Sequence, residues 1–288
     1  MNNDTTSGGR SLPARRFAGY ALVAAAVSLA LTGCQDSGGG VRESAGDGAA
    51  AGAPDSGQGS SGRQGDDGPR RLLWMGDSIG EAEAPALGAA MKAGGVDFRS
   101  VASTGGGGVV GETAAPTWDR LPKTLKSFAP DVVAYQVTTY DWGTPAEQRK
   151  AYERLARTVN EAGAELLLVS APPFELDDFY RPHEAEIETA PESARHVAAD
   201  HPDTVGFLDA SALWGDDSGA DQAQRSKDGI HSCQQGSAAF AVWFGERLKE
   251  QYGFEPADAD EWATGTWTGD KVYSKLGCGL PLPHLAPP

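Results

Sequence analysis

The sequence predicts an α/β fold in which helices cover both faces of a mostly parallel sheet of five strands. Five short apolar runs fall in the later part of the chain, at residues 72–75, 96–102, 131–137, 165–170 and 205–208. A strand that is buried on both faces of a parallel sheet reads as a short continuous apolar run. Helical patterns lie between these runs, and strand–helix alternation is typical of βαβ units.

The helices are predicted from apolar stripes at helical spacing. Tyr152, Leu155 and Val159 recur at i, i+3 and i+7, which predicts a helix over residues 145–161. A similar stripe predicts a late helix that begins near Gln235. Shorter helices are predicted at residues 83–94 and 117–128.

Residues 1–33 have the pattern of a secretory signal. Arg10, Arg15 and Arg16 precede an apolar run over residues 17–31, which is shorter than the roughly 20 residues that a membrane-spanning helix needs. A basic start followed by a short apolar core is typical of a signal peptide. An ordinary anchor helix is the alternative.

The signal ends in the sequence LTGC, residues 31–34, which resembles a bacterial lipobox. This resemblance implies cleavage before Cys34 and lipidation of that cysteine. We therefore expect a lipoprotein anchored to the outer face of the cell membrane. Residues 34–69 are rich in Gly, Ser, Ala and Asp, a composition that predicts a flexible tether.

The remaining segment, 70–288, is long enough for one compact domain, with residues 254–288 as a tail that packs back on it. The formal net charge is −16, and such an acidic surface disfavours nucleic-acid partners. With Cys34 lipidated, Cys233 and Cys278 are left to form a disulfide in an oxidising compartment. No Cys/His spacing fits a zinc site, so we expect neither a metal nor a cofactor.

Residues able to do chemistry follow several predicted strands. Ser78 comes after the first strand, a run of glycines at 105–108 after the second, and Tyr140 after the third. A loop after the fifth strand contains Asp228 and His231. Because ligands of open parallel sheets bind beyond the carboxyl ends of the strands, these groups are expected to meet at one edge.

A serine hydroxyl becomes a strong nucleophile only when a base takes its proton and a third group orients that base. The spacing Asp228-x-x-His231 supplies both from one loop. We therefore predict a triad of Ser78, His231 and Asp228. The other four histidines lack both the aspartate spacing and a place at a strand end.

The sequence GDSI at residues 76–79, with Asp228-x-x-His231 near the C-terminus, resembles the SGNH (GDSL-like) hydrolase family over residues 70–252. The resemblance implies a three-layer α/β/α sandwich and metal-independent ester hydrolysis or acyl transfer. It also implies an oxyanion hole built from the backbone amides of Ser78 and of Gly106 or Gly107.

The third block departs from the family pattern. Relatives have Gly-x-Asn-Asp where this chain has Thr-Thr-Tyr-Asp, so Tyr140 replaces the asparagine that helps to bind the oxyanion. A phenol is also a hydrogen-bond donor, and we include Tyr140 as a candidate oxyanion donor. The block is similar to SGNH domains associated with bacterial membrane acyltransferases, which implies O-acyl, most simply acetyl, groups on surface glycans.

Two alternatives remain. The glycines at 106–111 satisfy Gly-x-Gly-x-x-Gly, a dinucleotide-binding pattern, but they form the second strand–helix turn and no phosphate-binding lysine follows. The changed third block leaves open a non-catalytic glycan-binding lipoprotein on the same scaffold.

The aromatic residues Trp262, Trp267 and Tyr273 either cover apolar surface or form a glycan platform. We expect an esterase for small or glycan esters that is monomeric.

Overall fold

The computed structural model describes residues 68–214 and 225–279, which all lie in one compact unit. The predicted signal, Cys34 and tether residues 34–67 lie outside the described residues. The sheet consists of β1 (Arg71–Met75), β2 (Asp97–Ser100), β3 (Val132–Gln136), β4 (Glu165–Val169) and β5 (Val205–Leu208). All neighbouring strands are parallel, in the order β2-β1-β3-β4-β5, which confirms the predicted fold class.

The described helices are α1 (Ser78–Ala93), α2 (Ala115–Phe128), α3 (Pro145–Glu161), α4 (Glu184–Asp200), α5 (Ser211–Trp214), α6 (Gln234–Tyr252), α7 (Ala259–Trp262) and α8 (Lys271–Lys275). Short 3-10 turns lie at Glu112–Ala114, Arg181–His183 and Thr266–Gly269. Among residues 68–214 and 225–279, no helix has the length and apolarity needed to cross a bilayer.

The sheet is buried on both faces because alternate side chains of each strand enter different cores. In β1, Leu73 and Met75 pack into a core with α2, α3 and α4, whereas Leu72 and Trp74 pack into a second core with α1 and α6. This arrangement explains why the strands read as continuous apolar runs. The result is three layers, helices–sheet–helices.

The strand order shows at which edge of the sheet a ligand is expected to bind. The chain passes from β1 to β2 on one side of β1, and then to β3 on the other side. Such a reversal opens a crevice at the carboxyl ends of the two strands that flank it, where ligands of α/β sheets bind. The loops after β1, β2 and β3 all begin at this crevice.

The tail packs on α1 and α6, as its buried side chains show. The Tyr273 hydroxyl donates to the Ala82 carbonyl at 3.0 Å, and the Ser237 hydroxyl donates to the same carbonyl at 3.0 Å. The predicted disulfide between Cys233 and Cys278 is present and joins the start of α6 to the end of the tail. It closes a loop of 45 residues, which in the chain-entropy account stabilises the fold by about 4 kcal/mol.

Candidate active site

Ser78 lies at the carboxyl end of β1, beside the reversal of strand order. It is the first residue of α1, and the N-cap is Asp77, whose Oδ1 accepts the Ile79 N–H at 2.9 Å. This bond satisfies one of the amides that a helix leaves unpaired at its start. Ser78 is half-buried, so the nucleophile candidate sits at the rim of the sheet, at the positive end of a helix.

Asp77 also ties β1 to the segment that follows β3. Its Oδ2 accepts the Thr139 N–H at 2.8 Å and the Thr139 hydroxyl at 2.7 Å. Burial raises the pKa of Asp77, while the bonds from Thr139 and Ile79 and the charge of His231 oppose the rise. His231 is therefore within electrostatic reach of the residue next to Ser78.

Asp228 and His231 form a close pair in the loop before α6. His231 Nδ1 lies 2.8 Å from Asp228 Oδ2. The other carboxylate oxygen, Oδ1, accepts the Ser226 hydroxyl at 2.6 Å and the backbone N–H groups of Ile230 at 2.8 Å and His231 at 3.0 Å. The loop therefore holds the carboxylate in one orientation, and the carboxylate holds the imidazole.

The hydrogen bonds keep Asp228 ionised. Partial burial acts to raise its pKa, but the bonds from Ser226, His231 and Ile230 outweigh burial and lower the pKa to about 2. An ionised Asp228 accepts a hydrogen bond from the N–H at Nδ1 of His231, and this tautomer leaves Nε2 with its lone pair as the available base.

The two halves of the predicted triad meet in a small apolar cluster. Ile79, next to Ser78, packs with Ile230, next to His231, and both contact the buried ring of Tyr180. Within the described part of the chain, the Ser78 hydroxyl makes no hydrogen bond to a side chain. Catalytic hydrogen bonds are commonly loose without substrate and tighten in the complex.

The glycine-rich loop approaches β1 most closely at Gly107. Its φ is +89°, and a Cβ built there would lie 2.0 Å from the Gly76 carbonyl oxygen, so no other residue fits. A Cβ at Gly106, by contrast, would meet nothing within 4 Å. Gly106 and Gly107 therefore lie beside the strand end that carries Ser78, as an oxyanion hole requires.

Asp141 fixes the far end of this loop. Its Oδ1 accepts the N–H groups of Val109 at 2.9 Å and Val110 at 3.2 Å. Its Oδ2 accepts the Tyr135 hydroxyl at 2.6 Å, the Thr138 N–H at 3.0 Å and the Tyr152 hydroxyl at 3.2 Å. Burial raises the pKa of Asp141, and the hydrogen bonds from Tyr135, Thr138, Val109 and Tyr152 oppose the rise. The sequence argument had assigned Asp141 no role of its own.

Glu81 fixes the near end of the loop from α1. Its Oε2 accepts the Thr104 N–H at 2.8 Å, and the Thr104 hydroxyl donates to the same oxygen. The loop is thus held by one carboxylate at each end, and both carboxylates lie in segments adjoining Ser78 or Tyr140.

Tyr140 belongs to an aromatic cluster of Tyr140, Trp142, Phe174, Phe179 and Tyr180. Its ring centroid lies 5.4 Å from that of Trp142, 6.0 Å from Tyr180 and 6.2 Å from Phe179. Burial raises the pKa of Tyr180, which the hydroxyl of Thr139 lowers and the hydroxyl of Tyr140 raises further. The Tyr140 hydroxyl therefore lies beside Tyr180, on the Asp77 side of the cluster.

The loop after β4 packs against the loop that carries the Asp–His pair. The Glu175 N–H donates to the Gly229 carbonyl at 2.9 Å. Arg225 donates to the Ile230 carbonyl at 2.9 Å and also to the Pro173 carbonyl. The acidic segment 174–188 thus borders the site, and Arg225 is a loop anchor that sequence reasoning missed because its partners are backbone carbonyls.

The tail aromatics cover apolar surface. Trp262 is 5% exposed and Tyr273 is 1% exposed, and both lie under the tail, away from solvent. Trp267 donates from Nε1 to the Trp262 carbonyl at 2.7 Å. Packing explains Trp262 and Tyr273, whose buried rings cannot stack on a ligand, whereas Trp267 is half-buried and keeps part of its surface exposed.

The Gly-x-Gly-x-x-Gly stretch is used internally. The amides of Val109 and Val110, which lie within it, already donate to the Asp141 carboxylate. A carboxylate in that position occupies the donors that a pyrophosphate would need and adds a repulsive charge. Among the described residues, no group of three or more His, Cys, Asp or Glu side chains is arranged to hold a metal.

Neither a scan of protein-family models nor a search of curated proteins finds a match to this sequence. Solved structures do match at the level of fold. One is an alpha/beta hydrolase enzyme from the metagenome of Lake Arreo, Spain, at 18% identity and a TM-score of 0.50, covering 63% of this chain and 96% of that chain.

Two further structures are similar to a comparable extent. The lipase/acylhydrolase from Enterococcus faecalis is 21% identical, with a TM-score of 0.49 and coverage of 65% of this chain and 100% of that chain. A GDSL-like lipase from Bacteroides thetaiotaomicron is 16% identical, with a TM-score of 0.48 and coverage of 63% and 89%. At these identities the likeness bears on the fold, while the chemistry has to be argued from the site.

Proposed function

We propose that this protein is a serine esterase that removes O-acyl groups, most simply acetyl, from carbohydrate or other small alcohols at the cell surface. The observation that carries the proposal is the Asp228–His231 pair at 2.8 Å, on the same edge of the sheet as Ser78 and within electrostatic reach of Asp77. The sequence resemblance to SGNH hydrolases supports it, and the shared fold is consistent with it.

In the proposed reaction, His231 Nε2 takes the proton of the Ser78 hydroxyl as Oγ attacks the ester carbonyl. Asp228 holds the Nδ1 proton and stabilises the imidazolium that forms. The tetrahedral intermediate collapses, the alcohol leaves with the proton from His231, and an acyl-serine remains. A water molecule then repeats the sequence, which releases the carboxylic acid and restores Ser78.

The developing oxyanion is assigned three donors. The backbone N–H groups of Ser78 and of Gly106 or Gly107 lie where the close approach of the loop to β1 supports this role. Tyr140 is the third donor, in the place of the family's asparagine.

The test is hydrolysis of p-nitrophenyl acetate by the full-length protein. We expect Ser78→Ala and His231→Ala each to lower kcat by roughly 10³-fold or more, because the nucleophile and its base act as a unit. Ser274→Ala, an exposed serine of α8, is the control and should retain the wild-type rate. Equal rates in wild type and Ser78→Ala would refute the proposal.

A glycan-binding protein without catalysis is the second candidate, favoured by Tyr140 in the asparagine position and by the absence of a side-chain partner for the Ser78 hydroxyl among the described residues. It predicts binding of acetylated sugars without turnover. Acyl transfer is a variant of the esterase proposal, and it predicts that an added sugar alcohol receives the acyl group in competition with water.

The proposed location is the outer face of the membrane, through lipid on Cys34. Cys34→Ala is expected to move the protein from the membrane fraction to the soluble fraction of the producing cells. Retention of the variant in the membrane would contradict the anchor.

A further inference from the structure

A cavity of about 510 Å³ opens between the glycine-rich loop and α2. Small-molecule sites commonly have volumes of roughly 300–1,000 Å³. An acetyl group has three heavy atoms, or roughly 90 Å³ if each takes the share of a liquid water. The cavity is therefore large enough for the alcohol part of an ester as well as for the acyl group.

The cavity adjoins the proposed oxyanion hole. Gly76, Gly106 and Gly107 are among its lining residues, and the same residues surround the strand end before Ser78. It lies on the β2 side of β1, whereas the aromatic cluster lies on the side of β3 and β4. Ser78 itself does not line the cavity, but the lining residue Gly76 lies two positions before it in the chain.

The lining is suited to a sugar rather than to a hydrocarbon chain. Hydroxyl groups of Ser103, Thr113, Thr117 and Thr124 line it, together with glycine backbone. The buried side chain of Leu121 supplies an apolar surface. A pyranose presents the same combination, with hydroxyl groups around its edge and C–H groups on its faces.

Arg120 is the charged residue among those that line the cavity. It is exposed, and its guanidinium forms no ion pair with any described residue, although the chain has a formal net charge of −16. A guanidinium offers two parallel N–H donors that match a carboxylate. The cavity therefore combines a surface for a sugar ring with a cation for an acid group.

We propose that the cavity binds the alcohol part of the substrate as a carboxylate-bearing sugar, such as a uronic acid unit, whose carboxylate pairs with Arg120. This inference extends the proposed esterase function and rests on it, because the bound sugar is a substrate only if the protein is an esterase. In this arrangement the ester group lies at the Gly76 end of the cavity, which is the end next to Ser78 in the chain.

The first test measures binding without catalysis, in full-length Ser78→Ala protein. The probes are the methyl glycosides of glucuronic acid and of glucose, which differ by a carboxylate in place of a hydroxymethyl group. We expect glucuronate to bind more tightly, and Arg120→Gln to reduce the ratio of the two affinities by roughly tenfold or more, the loss that matches one charge-assisted hydrogen bond. Lys123→Gln is the matched control, because this exposed lysine of α2 does not line the cavity.

Equal affinities for the two probes, or an equal change of the ratio in both variants, would overturn the proposal. Tighter binding of glucose 6-phosphate than of the methyl glycoside of glucuronic acid would overturn the assignment of a carboxylate. If only the general positive charge of this surface attracts the carboxylate, Arg120→Gln and Lys123→Gln should change the affinity ratio equally. The control therefore distinguishes a specific site at Arg120 from a nonspecific electrostatic attraction.

The second test compares turnover of the O-acetylated methyl glycosides of glucuronic acid and of glucose by the protein with Ser78 intact. The ratio of kcat/KM should fall in Arg120→Gln as the affinity ratio does. If Arg120-dependent binding is found but no ester is cleaved, the esterase proposal fails and the binding site stands. If both esters are cleaved at rates independent of Arg120, the esterase stands and the site fails.

Discussion

The two sides of Ser78 are built in different ways. The glycine side consists of residues 101–111, a loop of small residues that Glu81 and Asp141 hold, and of residues 112–124, which include most of α2. It borders a cavity of about 510 Å³. The aromatic side, residues 138–142 and 174–183, is filled by rings whose centroids lie 5.1–6.2 Å apart. The glycine side thus offers a cavity and backbone amides held in place, whereas the aromatic side is filled by side chains.

The charges differ in the same way. Helix α2 on the glycine side carries Arg120, Lys123 and Lys126, whereas segment 174–188 next to the aromatic side carries six carboxylates. The contrast teaches that the site is asymmetric across Ser78. Under the proposed esterase function, we infer that the alcohol group lies on the glycine side and that the filled aromatic side favours a small acyl group such as acetyl.

Of these substitutions, Gly107→Ala should lower kcat the most. It forces a Cβ to 2.0 Å from the Gly76 carbonyl oxygen, at a residue whose φ is +89°. We expect kcat for p-nitrophenyl acetate to fall by roughly 10²–10³-fold, the loss typical of one oxyanion donor. Gly106→Ala keeps its N–H and meets nothing within 4 Å, so it should cost far less. Equal losses in the two variants would break the account of the glycine side.

Asp141→Asn should destabilise the anchor of the glycine side. The amide group retains one acceptor oxygen for donors that include three N–H groups and two hydroxyls. We expect the free energy of unfolding to fall by about 3 kcal/mol, since buried donors lose their partners. Urea denaturation measures it, and an unchanged midpoint would show that the loop is held by other contacts.

Tyr140→Phe tests whether the aromatic side acts only by filling space. The change keeps the ring and removes the hydroxyl, so the melting temperature should change little. We expect kcat to fall by roughly 10–10²-fold, at or below the range for one donor, because two backbone amides remain. A kcat within twofold of wild type would assign Tyr140 to packing alone.

Glu83→Gln tests how a buried carboxyl group of α1, the helix that begins at Ser78, affects the stability of the protein. Burial raises the pKa of Glu83 to about 8, against the opposing effects of Gln136 and Arg225 and with a further rise from Asp77. Between its usual value of 4.5 and about 8, the folded chain holds a proton that the unfolded chain has lost. The stability of the wild type therefore falls as pH rises through this window, by up to about 1.4 kcal/mol per pH unit.

The variant lacks this titration, so its stability relative to wild type should increase from pH 5 to pH 8. Urea denaturation at each pH measures the difference. A difference that is constant over this range would mean that Glu83 ionises in the folded protein as it does in water.

The sequence predicted β1, β3, β4 and β5 closely, because these strands are short, largely apolar runs with few alternatives. The edge strand β2 is different, since three of its four residues are exposed. Helix α4 was missed, since the residues it buries are small ones such as Ala190, Ser193 and Ala194 rather than a stripe of large apolar side chains. Spacing within one loop predicts the pair of His231 and Asp228, whose Nδ1 and Oδ2 atoms lie 2.8 Å apart, and the catalytic role of the pair stays a prediction.

Other features depend on contacts that spacing does not reveal. Asp141 acts through backbone amides 31 and 32 residues away, which no local pattern encodes. The aromatic cluster brings together rings from two loops, and the cavity at Arg120 arises from the path of the glycine-rich loop past α2. Distant partners of this kind become visible only in the folded chain.

The most direct test of the central claim is covalent labelling of the full-length protein with a fluorophosphonate, which reacts with activated serines. The account predicts that the label is found on Ser78 by peptide mass spectrometry, and that labelling is lost in His231→Ala and retained in Ser274→Ala. Absence of label on Ser78 in the wild type, or equal labelling of Ser78 in His231→Ala, would contradict it.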